Sequence, residues 1–143
     1  MNSTTYSILV PIGFSEQSII ALEQAERLAT LVDGEITLLS VIETSGLLSR
    51  LFGEDDEKYT DMKLELQERL DQLATDVSGR IGLKVNAMAT KGKVSQKIVE
   101  VAELINAKII VMGTNGVPPE LAKKVIGSNA FRVVTTSPCP VIT

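Results

Sequence analysis

The sequence predicts an α/β fold: one doubly wound, five-stranded parallel sheet with helices on both faces. Three observations predict it. Five short apolar segments rich in β-branched residues recur along the 143 residues, with three- and four-residue apolar spacing between them. Every connection is of helical length, which parallel strands require and hairpins do not. Ile109 to Met112 is apolar throughout, as a central strand covered on both faces is.

Tyr6 to Val10 is short, apolar and β-branched and runs into Pro11, which makes it the first strand. Ser15 stands where an N-cap belongs, with Glu16 in the first turn to suit the helix dipole. Ala21, Leu22, Ala25, Leu28, Ala29 and Val32 then form one helical face. Asp33-Gly34 is expected to end that helix, glycine tolerating the left-handed exit conformation. Ile36 to Ile42 is the second strand. From Glu43 to Glu57 the pattern lapses into an expected mobile loop, where Gly46, Gly53 and the acids Glu54, Asp55, Asp56 and Glu57 bracket Leu47, Leu48, Leu51 and Phe52. Those four apolar residues either cover a ligand or join a subunit interface. Four adjacent acids before a helix read as a solvated N-terminal turn sooner than as a cation site.

Helical spacing resumes at Tyr59, Met62, Leu66, Leu70, Leu73 and Val77, and Gly79 and Gly82 are expected to stop it. Leu83, Val85, Ala87 and Ala89 alternate with Lys84, Asn86 and Met88, the pattern of a third strand with two unlike faces. Val94, Ile98, Val101, Ala102 and Ile105 make the third helical face, and Ile109 to Met112 the fourth strand. After a glycine-bearing stretch from Gly113 to Ser128 comes a helix whose main apolar residues are Phe131, Val133 and Val134. A last short strand, 139–142, lies between prolines. No repeat, low-complexity tract or linker divides the chain, so residues 1–143 are read as one domain.

Composition excludes several function classes. Lys plus Arg is 14 against 18 Asp plus Glu, a net charge of −4 and the wrong sign for a nucleic-acid footprint. Aromatics are 3% with no Trp, which leaves no platform for stacking single strands. The chain has no His, which removes Ser-His-Asp and Cys-His catalysis and every His-ligated metal site. Cys139 is the one cysteine, so no internal disulfide or cysteine cluster forms. No apolar stretch approaches the ~18 residues of a membrane span, and the N-terminus lacks a basic n-region. These features lead us to expect a cytoplasmic protein with neither a membrane nor a nucleic acid as partner.

In an open α/β sheet, ligands bind beyond the C-terminal strand ends, where the strand order reverses. If strand 1 lies between strands 2 and 4, the loops meeting there are Pro11 to Ser15 and Gly113 to Ser128. The second reads Gly113-Thr-Asn-Gly116, ten further residues, then Gly127-Ser128-Asn129. Glycines let backbone amides approach an anion, and a helix starting at Gly127-Ser128 offers free N–H groups and a favourable dipole. Ser128 is placed to donate to a phosphate oxygen, and Lys123 and Lys124 to supply positive charge. Each also has an ordinary use: the glycines in turns, Ser128 as an N-cap, the lysines on a solvated face. Cys139 has no neighbouring base to make it a nucleophile, and the nearest base to Ser15, Glu16, is better used on the helix dipole.

Gly113-x-x-Gly116, a spacer and Gly127-Ser128, then Arg132-Val-Val and Ser137-Pro-Cys-Pro-Val-Ile142, resemble the universal stress protein family. Ile8-Leu-Val-Pro11 to Phe14-Ser15, Ala21-Leu22, Leu38-Leu-Ser-Val41 and Val111-Met-Gly-Thr114 look like the same family, so the resemblance covers essentially the whole chain. It implies strand order 3-2-1-4-5 in an adenine-nucleotide α-hydrolase-like fold, a homodimer through the strand at 139–142, and a role in stress tolerance. In many members it also implies ATP binding, with magnesium beside the phosphates. The candidate contacts are then Pro11, Ile12, Gly13, Val41, Met112, Gly113, Gly116, Gly127, Ser128 and Asn129.

Two departures bear on the ligand. Nucleotide-binding members of the family it resembles usually carry Asp where this chain has Gly13. The spacer from Val117 to Ile126, ten residues with Pro118-Pro119, is one longer than the family's. Two functions stay open: a stress-response protein with ATP as regulatory ligand, hydrolysed at most slowly, or a dimerisation and interaction module that binds no nucleotide. An adenylating enzyme ranks last, because Pro11-Ile-Gly-Phe-Ser15 has one glycine where a pyrophosphate loop needs several.

Overall fold

The computed structural model describes residues 5–44, 56–113 and 128–143. Five strands, β1 (Ser7–Pro11), β2 (Glu35–Glu43), β3 (Val85–Gly92), β4 (Ile109–Val111) and β5 (Val141–Ile142), form one sheet in the order β3-β2-β1-β4-β5. All neighbouring strands pair in parallel. The connecting helices are α1 (Glu16–Val32), α2 (Asp56–Ile81), α3 (Val94–Leu104) and α4 (Ser128–Thr136).

Alternation along the strands divides the core into two layers. Ile8, Val10, Ile36, Leu38, Ile109 and Val111 face α1 and α2, meeting Leu22, Ala25, Leu70 and Val77. Leu9, Leu39, Ile110 and Met112 face α3 and α4, meeting Ile98, Val101, Ala102, Ala130 and Val133. The central strands are apolar at consecutive positions because both of their faces are covered.

Local chemistry sets the boundaries. Ser15 caps α1 as expected, its hydroxyl accepting from the Ser18 N–H at 3.2 Å. The left-handed exit residue is Asp33 (φ 54°), not Gly34. Gly34 is needed for another reason: a Cβ there would lie 2.5 Å from the Tyr6 carbonyl oxygen. Gly79 does not end α2. The helix runs through it to Ile81 and breaks at Gly82, whose φ is +69°. A Cβ on Gly79 would meet nothing within 4 Å, and an exposed helical glycine costs only about 1 kcal/mol. In α4, Phe131 and Val134 stay exposed, whereas Ala130 and Val133 are buried. The expected loop falls outside the described residues from 45 to 55, Leu47, Leu48, Leu51 and Phe52 included, and α2 begins at Asp56.

Among the side-chain contacts that tie α2 to the rest, two are hydrogen-bonded bridges to α1 and β3. Arg80 grips the nearly buried Glu26 of α1 through two hydrogen bonds of 2.8 and 3.1 Å. That hydrogen bond, with the attraction of the carboxylate, raises the Arg80 pKa above its ordinary value. Gln67 reaches the outer edge of β3. Its amide donates to the Ala87 carbonyl at 3.1 Å, and its oxygen accepts from the Ala89 N–H at 2.8 Å. The side chain thus fills two places that a neighbouring strand would take.

Candidate functional site

The strand order reverses at β1, which pairs with β2 on one side and β4 on the other. A cleft of about 240 Å³ opens beyond the C-terminal ends of these strands. Its floor is the exit of β1. There the Ile12 N–H donates to Leu39 O at 2.7 Å, and Ile12 O accepts from the buried Ser40 hydroxyl at 2.6 Å. With both polar backbone groups satisfied by β2, Ile12 is fixed. The chain then turns sharply, Phe14 taking φ 59°, a conformation rare outside glycine. That turn carries Phe14 into the α1/α2 layer, where the Arg69 guanidinium lies 4.1 Å from its ring centroid.

The opposite wall leaves β4 at Met112, whose N–H donates to Ile142 O of β5 at 2.9 Å. Gly113 follows. A Cβ there would lie 2.7 Å from the carbonyl carbon and oxygen of Gln17, so only glycine lets this wall touch the first turn of α1. The first turn of α4 closes a third side with Asn129 and Ala130, and Val94 and Ile98 of α3 a fourth.

Of the residues singled out in the sequence, the fold brings Pro11, Ile12, Gly13, Val41, Met112, Gly113 and Asn129 together around the cleft. Ser128 is the first residue of α4. Gly116 and Gly127 lie outside the described residues, as do Lys123, Lys124 and the Pro118-Pro119 pair. Sequence reasoning missed Ala130, Ser18, Leu39, Val94 and Ile98. The signal for the last two was present: in a parallel sheet every helix starts at the C-terminal edge, so the first turn of α3 belongs beside the β1 and β2 exits.

The described lining is apolar apart from Ser18, Asn129 and backbone groups, and includes no Asp, Glu, Lys or Arg. Ser18 is 2% exposed and spends its hydroxyl on Ser15 O at 2.9 Å. The cleft can therefore hold a flat apolar group between Val41, Ile98 and Met112. An anionic group attached to it would meet the N–H groups and positive dipole end at the start of α4. Among the described residues no group of three or more His, Cys, Asp or Glu is arranged to hold a metal ion, and no helix is long and apolar enough to cross a membrane.

Sheet, layers and cleft define a doubly wound α/β protein with a cleft at the switch point, of the adenine nucleotide α-hydrolase-like type. The model of the universal stress protein family matches residues 5–143, and the chain belongs to that family. A universal stress protein of Methanocaldococcus jannaschii is 30% identical over 136 residues, covering 94% of this chain and 79% of its own. The solved structure of a second protein of that archaeon is 29% identical with a TM-score of 0.73, covering 97% of this chain and 95% of that one. Two more distant structures share the fold. A universal stress protein in complex with cAMP is 17% identical (TM-score 0.70, 98% and 96% covered). The Archaeoglobus fulgidus protein in complex with dAMP is 18% identical (TM-score 0.67, 96% and 95% covered).

Proposed function

We propose that the cleft binds an adenine nucleotide as a regulatory ligand of a stress-response protein. One observation carries this reading: an apolar slot at the switch point, open toward the first turn of α4. Its volume of about 240 Å³ is just below the roughly 300 Å³ at which small-molecule pockets begin. The slot thus suits a base and sugar, with the phosphates projecting over α4. The relatives solved with cAMP and dAMP support the choice of adenine. ATP is the ligand expected first, with magnesium on its phosphates. Pro11, Ile12, Val41 and Met112 would hold the nucleoside, and Gly113, Ser128 and Asn129 would stand nearest the phosphates, with Gly116 and Gly127 completing the loop. The cleft has no general base in its described lining, so the role given to these residues is binding and orientation.

Calorimetry with ATP, AMP and adenosine tests this, alongside mass spectrometry of small molecules released on denaturation. Micromolar binding of ATP is expected, and Gly13→Asp, which restores a side chain at the cleft lip, should tighten it. No heat and no released nucleotide from folded protein would overturn the reading. A second reading then stands, favoured by the exposed Phe131 and Val134 of α4 and Ile142 of the outer edge strand β5: a homodimerisation or interaction module of the same fold.

A further inference from the structure

The edge of the sheet away from β5 is β3. Ile36 N–H donates to the Lys84 carbonyl at 3.1 Å, so Lys84, Asn86 and Met88 turn their backbone groups toward β2. Parallel pairing alternates, and Val85, Ala87 and Ala89 therefore point theirs outward. Gln67 of α2 takes one pair of these, the Ala87 carbonyl and the Ala89 N–H, as one residue of a parallel strand would. The preceding pair, the Val85 carbonyl and the Ala87 N–H, has no hydrogen-bonding partner among the described residues.

A groove of about 470 Å³ opens at that unfilled place. Val85 and Ala87 form its sheet side, and Asp71, Thr75 and Gly79, one turn apart on α2, line its helix side. Gly79 leaves open space, since a Cβ there would meet nothing within 4 Å. The lining hydroxyls are spent inside the chain, Thr75 on Asp71 O at 2.9 Å and Ser78 on Leu83 O at 2.7 Å. What remains for recognition is the unfilled backbone pair and the carboxylate of Asp71, the one charged side chain of the described lining. Its Oδ1 accepts from Gln67 at 2.9 Å, and no cation pairs with it among the described residues.

We propose that this edge docks an extended segment of another protein carrying a Lys or Arg, which adds to the sheet as a further strand. The segment's backbone gives an N–H to the Val85 carbonyl and a carbonyl to the Ala87 N–H. Its cation meets Asp71, and that charge sets the sign of the partner. Gln67 guards the next pair along, so a segment reaching past Ala87 has to displace it. The site lies on the opposite margin of the sheet from β5 and stands independently of any ligand in the cleft.

The full chain, labelled with ¹⁵N, is titrated well below its melting transition with two short synthetic peptides, alternating valine and threonine around a central lysine or a central glutamate. The lysine peptide should shift the Ala87 and Ala89 amides saturably and bind tighter than the glutamate one. Asp71→Asn keeps an acceptor for Gln67 and should weaken the lysine peptide by about two- to fivefold, as losing an exposed ion pair does, and remove the preference between the two. Gln67→Ala removes the guard and should tighten binding by about fivefold, the worth of one competing hydrogen bond. Thr75→Arg, an exposed change on α2, sets a cation beside Asp71 and should abolish binding with an unchanged circular dichroism melt, so the test does not depend on how well Gln67→Ala folds. Shifts that do not saturate, that centre on Val141 and Ile142, or that persist in Thr75→Arg would overturn the proposal. Ala87 and Ala89 shifts that follow protein concentration without peptide would also overturn it, since a second copy of this chain would then be the occupant.

Discussion

Replacing Gly113 with Ala adds one methyl group, and the structure says where it must go. The new Cβ would stand 2.7 Å from both the carbonyl carbon and oxygen of Gln17, against 3.4–4 Å for ordinary contact. About 0.7 Å has to be recovered, and what must yield is backbone, because the Gln17 peptide lies in the first turn of α1 under the Ser15 cap. Overpacking of this kind costs about 1–3 kcal/mol. At roughly 2–4 °C per kcal/mol for a chain of this size, the melting temperature should fall by about 2–12 °C. Gly79→Ala is the internal comparison. Its Cβ would meet nothing within 4 Å in the middle of a helix, so the same methyl group should stabilise by about 0.4–1 kcal/mol. Urea unfolding followed by circular dichroism reads both variants beside the parent. Equal or greater stability for Gly113→Ala would refute the inference that the β4 exit and α1 are in hard contact. Because that contact forms the cleft rim, the variant should also bind nucleotide more weakly.

Two further substitutions probe the bridges made by α2. Arg80→Ala removes both hydrogen bonds to the nearly buried Glu26 and should cost about 1 kcal/mol, the screened value expected for a half-exposed arginine; a double-mutant cycle with Glu26→Ala gives the coupling. The folded state raises the Arg80 pKa, so the arginine's share of stability is complete below the unfolded guanidinium value and lost only in strong alkali. The Arg80 charge itself should therefore add no pH dependence near neutrality. Gln67→Ala frees the Ala87 carbonyl and the Ala89 N–H on the edge of the sheet; it should cost about 1–2 kcal/mol and raise light scattering on warming. A variant as stable and as clear in solution as the parent would deny Gln67 that role.

The elements were legible because each has a periodicity that survives in a single sequence: Ala21, Leu22, Ala25 and Ala29 mark a helix whatever they pack against. The cleft was legible for a related reason, since β1 and β4 exits carry the unusual residues Gly13 and Gly113. Contacts between elements left no such trace. Nothing around Gly79 says that its space is empty, nor around Gly34 that the Tyr6 carbonyl occupies it. Phe131, Val133 and Val134 stand out as the main apolar residues of the last helix, yet α4 turns Ala130 and Val133 inward and leaves Phe131 and Val134 exposed. The α3 wall was hidden because Val94 and Ile98 serve the core and the cleft at once. Gln67 carries no signal: a glutamine on a helix is ordinary until a strand edge lies beside it.

Met112 has a double attachment. Its side chain is part of the cleft wall, and its backbone N–H is donated to the carbonyl of Ile142 in the outermost strand β5. One residue therefore borders both the cavity and the last strand of the sheet, with no further element between them. A ligand that selects one setting of Met112 selects one setting of that margin. By thermodynamic reciprocity, anything docking there with a preference between the same settings changes the ligand's affinity by the same factor. Were the cavity occupied, its ligand and anything docking at the margin would be linked variables, joined through the 2.9 Å bond of Met112 N–H to Ile142 O beside that of Ile110 N–H to Pro140 O.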